Sequence, residues 1–235
     1  MLSALLLGLI ASSALVMGGV AGAYWSPPRH LVAVALAFAS GALITALALD
    51  LFEESFHKGG AWLSGIGLLV GAAAFVAADT LLDRYLAGAD GGVSAFALLA
   101  AVTLDGVPEN MALGVSLLET SGAGALTLLV AIFASNLPEA LSGAVGMRRQ
   151  GRSKDFTIGV WSATAILLAA AVVVGNAALA GVGEELLAVL LSFAGGAVLA
   201  SLADTLMPDA YREGGPLVAF ATAAGFLLSF LISQA

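Results

Sequence analysis

Long apolar runs alternate with short polar marks along the whole chain. The runs predict membrane-crossing helices near 1–23, 30–52, 62–78, 93–118, 123–147, 157–180, 186–207 and 216–234. About 20 apolar residues are enough to cross the hydrocarbon layer, because an α-helix rises 1.5 Å per residue. The polar marks are Ser26-Pro27-Pro28-Arg29, Lys58-Gly59-Gly60, Asp90-Gly91-Gly92, Arg148 to Asp155, and Arg212-Glu213-Gly214-Gly215. None of them leaves room for a soluble domain, so 1–235 reads as one transmembrane domain. The first run ends in Ala21-Gly22-Ala23, which has the form of a signal cleavage site. No Lys or Arg precedes it, so it reads as a retained span.

Composition sharpens this picture. The chain of 235 residues is 60% hydrophobic and only 10% charged. In soluble domains about a quarter of the residues are charged. A soluble fold of this size cannot hide so much apolar surface. A net charge of -8 speaks against nucleic acid as a partner. The absence of cysteine excludes disulfides and thiolate metal sites. Arg29, Arg84, Arg148, Arg149, Arg152, Lys154 and Arg212 fall on one side of an eight-span topology, and only Lys58 falls on the other. Basic residues favour the cytoplasmic side, so both termini are expected outside the cytoplasm and the loop 148–156 inside.

The chain also repeats itself. When Phe38 is laid on Phe193, Phe38-Ala39-Ser40-Gly41-Ala42 matches Phe193-Ala194-Gly195-Gly196-Ala197. In the same register Leu47-Ala48, Leu51 and Gly59-Gly60 match Leu202-Ala203, Leu206 and Gly214-Gly215. That is nine identities in 23 positions, against roughly a tenth by chance in so biased a composition. Glu54 and Asp209 align as well. The second span then corresponds to the seventh. An odd number of spans separates them, so the copies are expected to run in opposite directions, as in many secondary transporters. The expected organisation is three helices (1–80), a central pair (93–147) and three helices (156–235), a 3+2+3 inverted-repeat bundle.

The central pair carries the chemistry. The fourth span contains Asp105-Gly106-Val107-Pro108-Glu109-Asn110, and the fifth contains Ser135-Asn136-Leu137-Pro138-Glu139. Each proline lacks an N–H, so the carbonyls of Leu104 and Ala134 lose their usual helical donors. Asp105 and Glu109 are four residues apart and share a helix face. Ser135 and Asn136 lie within one turn of Glu139. No Lys, Arg or His lies beside these acids in either span. An intramembrane carboxylate costs on the order of 3 kcal/mol on insertion scales. Protonation, water or a cation must offset that cost. A divalent ion held by Asp105, Glu109, Asn136, Glu139 and Ser135 would do so through oxygen ligands. Asn110, Asp50, Glu53, Glu54, Asp204 and Asp209 are auxiliary candidates, able to line an entrance or to sit as solvated span ends. His57 reads as an outer-loop residue and Asp79 as the end of the third span.

The stretch Leu104-Asp105-Gly106-Val107-Pro108-Glu109-Asn110-Met111-Ala112-Leu113-Gly114 resembles the ZIP (Zrt-, Irt-like) family of metal transporters, as does Asn136-Leu137-Pro138-Glu139. The family typically reads His-Asn-x-Pro-Glu-Gly-x-Ala-x-Gly in the first of these. The resemblance implies a transporter that moves divalent cations such as Zn, Mn, Fe or Cd into the cytoplasm, and the small, compact chain without a targeting extension points to a plasma membrane, the inner membrane of a prokaryote. The resemblance also implies a transport site between the fourth and fifth helices, an assembly that is often a homodimer, and neither enzymatic activity nor a prosthetic group. Asp105 and Gly106 depart from the family's His and Asn, and the sixth span has no acid, so a single metal is expected. Its ligands are all hard oxygens, which suit Mn better than Zn. The rival readings are a metal-independent proton-linked carrier or structural protein, and, more remotely, an intramembrane carboxylate hydrolase.

Overall fold

A computed structural model describes residues 1–87, 95–118 and 123–234, apart from the side chains at 83, 85–87, 95–101, 105, 123 and 124. Every regular element among them is helical. The elements are α1 (Leu2–Tyr24), α2 (Arg29–Ala46), α3 (Glu53–Ala87), α4 (Ala95–Ser116), α5 (Ala123–Arg149), α6 (Lys154–Leu179), α7 (Glu184–Ser201), α8 (Met207–Gly214) and α9 (Val218–Ser233). Among the described residues, five helical stretches are long and apolar enough to cross a membrane: Leu2–Tyr24, Arg29–Leu82, Ala125–Arg149, Lys154–Leu179 and Glu184–Ser233. The mark Asp90-Gly91-Gly92 lies outside the described residues.

Two of these stretches are far too long for one crossing. Arg29–Leu82 holds 54 residues and Glu184–Ser233 holds 50, roughly 80 Å of straight helix against a hydrocarbon layer of about 30 Å. Both are broken by a glycine in left-handed backbone, Gly60 at φ 70° and Gly215 at φ 67°. At Gly60 the chain doubles back. Ser55 and Ser64 share a hydrogen bond of 2.7 Å between their hydroxyls, whereas nine residues of straight helix would hold them about 13 Å apart.

Each stretch also contains a π-helical turn, at Leu47–Phe52 and at Leu202–Leu206. Leu47 corresponds to Leu202, and Gly60 to Gly215, in the same register as the sequence repeat. The packing obeys that register too. Gly59 lies against the Ala188 methyl, and Gly214 against the Ala33 methyl. One residue out of that register, Gly71 meets the Phe193 backbone as Gly225 meets the Phe38 backbone. The second half of α3 therefore lies along α7, and α9 lies along α2, with glycines allowing backbone-to-backbone approach. Thr45 reaches across the second pair, donating to the Phe226 carbonyl at 3.1 Å.

Directions follow from the same contacts. Ser55, just past α2, donates to the Ala188 carbonyl near the start of α7 at 2.7 Å. Arg29, at the start of α2, meets Glu213 beyond α7 at 3.4 Å. Hence α2 and α7 are antiparallel. The remaining helices brace the centre. α1 packs on α5, with Gly18 against the Leu137 carbonyl and Gly22 against the Leu141 carbonyl. α6 packs on α4, with Gly114 against the Val172 carbonyl, and Asn176 donates to the Gly114 carbonyl at 3.0 Å.

The structure corrects two boundaries. α3 continues to Ala87 rather than ending near 78, so Asp79 lies within a helix. His57 is helical too, 3.7 Å from Glu53 one turn earlier, and is not in a loop. Glu53 through Gly59 continue the helix because Glu53–His57 and Glu54–Lys58 are pairs at i,i+4 spacing that a helix brings together.

Candidate metal site

Helices α4 and α5 meet in the centre of the bundle. Val102 and Val107 of α4 share a buried cluster with Ala140 and Ala144 of α5, sealed by Leu15, Trp161 and Leu168. Both helices remain helical through Pro108 and Pro138. α6 packs on α4 and α1 packs on α5 alongside these prolines. Gly106 makes room for the Leu168 side chain, which a Cβ at 106 would meet at 2.6 Å.

The polar residues around the two Pro-Glu steps are buried. Glu109 is 6% exposed, Asn110 0%, Ser135 2% and Asn136 2%. Glu139 is half-buried. Asn110 donates to the Gly106 carbonyl at 2.8 Å, and Ser135 donates to the Ile132 carbonyl at 3.0 Å. The other end of the Asn110 amide, Oδ1, is buried without a hydrogen bond among the described residues, as is Nδ2 of Asn136. Asn110 already presents its carbonyl oxygen, and turning the Asn136 amide over exchanges its nitrogen for its oxygen, so each can present a carbonyl oxygen to a cation. Buried polar atoms left without a protein partner are uncommon and call for a water, ion or ligand.

Asp105 lies one turn before Glu109 on α4, and its side chain is outside the described set. Among the described residues, no three His, Asp or Glu side chains gather closely enough to hold a metal ion. The described donors are therefore Glu109, Glu139, Ser135, Asn110 and Asn136, a set of hard oxygens plus amides without imidazole or thiolate.

The auxiliary acids divide sharply. The first π turn packs against α4, α5 and α7, and it carries Asp50, whose Oδ2 is buried without a hydrogen bond among the described residues. Among the described residues, Asp50 is thus an auxiliary acid carried by a turn that contacts both helices of the central pair. Lys58 lies 2.9 Å from Glu54. Asp204 and Asp209 are exposed, and Arg212 lies 2.9 Å from Asp209. Asp209 sits beside the start of α2, while Glu53 and Glu54 follow its far end. An ion approaching from one face cannot pass both groups on entry.

Sequence reasoning did not find the π turns or an apolar cavity of about 310 Å³ beside the first Pro-Glu step. Pro108, Met111, Val115, Leu179, Leu191 and Phe193 are among its lining residues. Its lining holds no charged group, and it gives α4 an unfilled flank on the side of α7.

No family model matches the chain, and no curated protein matches it.

Proposed function

We propose that this protein carries divalent metal ions across a membrane into the cytoplasm, through a carboxylate site between α4 and α5. One observation carries the reading. Two Pro-Glu steps lie on neighbouring apolar helices, and around them Glu109, Asn110, Ser135 and Asn136 are each buried with no basic side chain beside them in either sequence. A cation offsets the cost of such carboxylates in a low-dielectric interior better than any group these helices contain. Asp105, Glu109, Asn136 and Glu139 are the proposed ligands of the cargo, with Ser135 and Asp50 assisting as it sheds water.

The finer architecture belongs to the same proposal. The chain crosses the membrane eight times, as an inverted 3+2+3 bundle with both termini outside, in a bacterial-type plasma membrane. The antiparallel α2 and α7, their matched π turns and the shared register of sequence repeat and packing support it. Two antiparallel copies of one scaffold around a central site suit alternating access, in which one bundle rocks against another. The oxygen-rich donor set favours manganese or iron(II) over zinc. Metal binding requires deprotonated carboxylates, so protons leave as the ion binds.

The deciding experiment is uptake into proteoliposomes containing purified protein, with Zn, Mn, Fe(II), Cd, Mg and Ca tested in turn beside Glu109→Gln/Glu139→Gln. Uptake by the wild type and its loss in the double variant is the expected result. No uptake of any ion by folded protein sinks the transport reading and leaves the acids as proton carriers or helix-packing groups. Zinc outcompeting manganese a hundredfold would refute the hard-ligand argument while leaving transport intact.

A further inference from the structure

A cavity of about 230 Å³ lies at the end of the bundle that carries Arg29, Arg149 and Arg212, and its lining runs along α5 from Arg149 to Ser142, one turn beyond Glu139. These three arginines come from the start of α2, the end of α5 and α8 respectively. Asp209 and Glu213 line it as well. Three positive charges against two negative ones leave a net +1. The pairing is uneven. Arg29 lies 3.4 Å from Glu213, and Arg212 lies 2.9 Å from Asp209 and 4.0 Å from Glu213. Arg149 makes no ion pair among the described residues. α2 begins here behind Pro28 with no side-chain cap and no acid in its first turn. Its first backbone N–H groups therefore add positive potential. Val32, Leu36 and Val145 supply an apolar wall below the charges.

We propose that this cavity binds a phosphate-bearing anion, the headgroup of an anionic lipid. A guanidinium fork matches two phosphate oxygens, and the net +1 of the cavity complements the single negative charge of a phosphodiester. Basic pockets between membrane helices at the cytoplasmic face recognise anionic headgroups. The arrangement of charge above an apolar wall fits a headgroup with its acyl chains below. The occupant of the cavity would tie α2, α5 and α8 together at one end of the bundle.

The test uses the full chain in nanodiscs of phosphatidylcholine with increasing phosphatidylglycerol, reading the melting midpoint. The midpoint of the wild type rises with phosphatidylglycerol. Arg149→Gln raises the half-saturating lipid fraction about fivefold, the worth of one arginine near an anionic surface. Arg149→Lys recovers part of the loss, and Glu213→Gln lowers the fraction needed. Arg152→Gln, in the neighbouring loop and outside the cavity, leaves the curve unchanged. Inorganic phosphate added to pure phosphatidylcholine discs distinguishes the source. If it stabilises the protein with the same order of variants and phosphatidylglycerol does not, the phosphate chemistry stands and the lipid assignment falls. An absent response to both anions overturns the proposal. So does an equal loss in Arg152→Gln and Arg149→Gln, which would mean diffuse surface attraction.

Discussion

Replacing Gly60 with alanine isolates the backbone term that lets the chain double back. Gly60 sits at φ 70° and ψ 176°, a region essentially closed to residues with a Cβ. An added Cβ there meets nothing within 4 Å, so no clash contributes and the cost is the backbone strain alone, about 1–3 kcal/mol. Gly65, five residues further along α3, also has nothing within 4 Å of an added Cβ, but its backbone is helical. Alanine at that position gains up to about 1 kcal/mol through helix propensity. Two chemically identical changes in one element should thus differ in sign, with a gap of about 2–4 kcal/mol. For a chain of this size each kcal/mol moves the melting midpoint by about 2–4 °C. Reversible unfolding in mixed micelles should separate the two variants by on the order of 10 °C, with Gly60→Ala below the wild type and Gly65→Ala at or above it. Equal midpoints for the two variants would refute the argument that Gly60 is selected by its dihedral angles.

Ser55→Ala and Ser64→Ala should each lower stability by about 0.6–1.7 kcal/mol, the usual range for a hydrogen bond between membrane helices. In a double-mutant cycle the pair should be non-additive, because both hydroxyls are buried and bound to each other; additive losses would count against the fold-back at Gly60. Topology is open to single-cysteine labelling, since the chain has no native cysteine. Ser153→Cys should react with an impermeant maleimide only from the cytoplasmic side and Gly183→Cys only from the outside, and the reverse pattern would invert the proposed direction of transport.

The long helices were legible because each holds an apolar run near bilayer length, and the central pair because Pro-Glu inside such a run is chemically conspicuous; the short polar α8 was not. The repeat was legible through Phe38-Ala39, Gly41-Ala42 and Gly59-Gly60, which are the residues that touch the opposite copy or turn the chain. The π turns left no comparable trace. Leu47–Phe52 and Leu202–Leu206 differ at several positions, and an extra residue in a turn is accommodated by the packing around it rather than by side-chain type. Hydropathy gave the depth of the auxiliary acids along their helices but not the face they occupy. Asp50 and Asp204 sit at nearly equivalent positions, yet the turn of Asp50 is the one that reaches α4 and α5. Helix α3 outran its predicted end because Asp79, Asp83 and Arg84 lower hydropathy without breaking a helix.

The exchange of partners between the two stretches has a bearing on how the chain is made. α2 rests on α9, and the second half of α3 rests on α7, so each early helix finds its mate only after the whole central pair and α6 have been added. While a ribosome is still adding the second stretch, the glycine faces at Gly41 and Gly71 have only lipid to lie against. Close backbone contacts cannot form on either face until both stretches are inserted. Final assembly is therefore a late event in biogenesis, and a chain stalled after α6 would remain a set of loosely associated helices exposed to quality-control proteases.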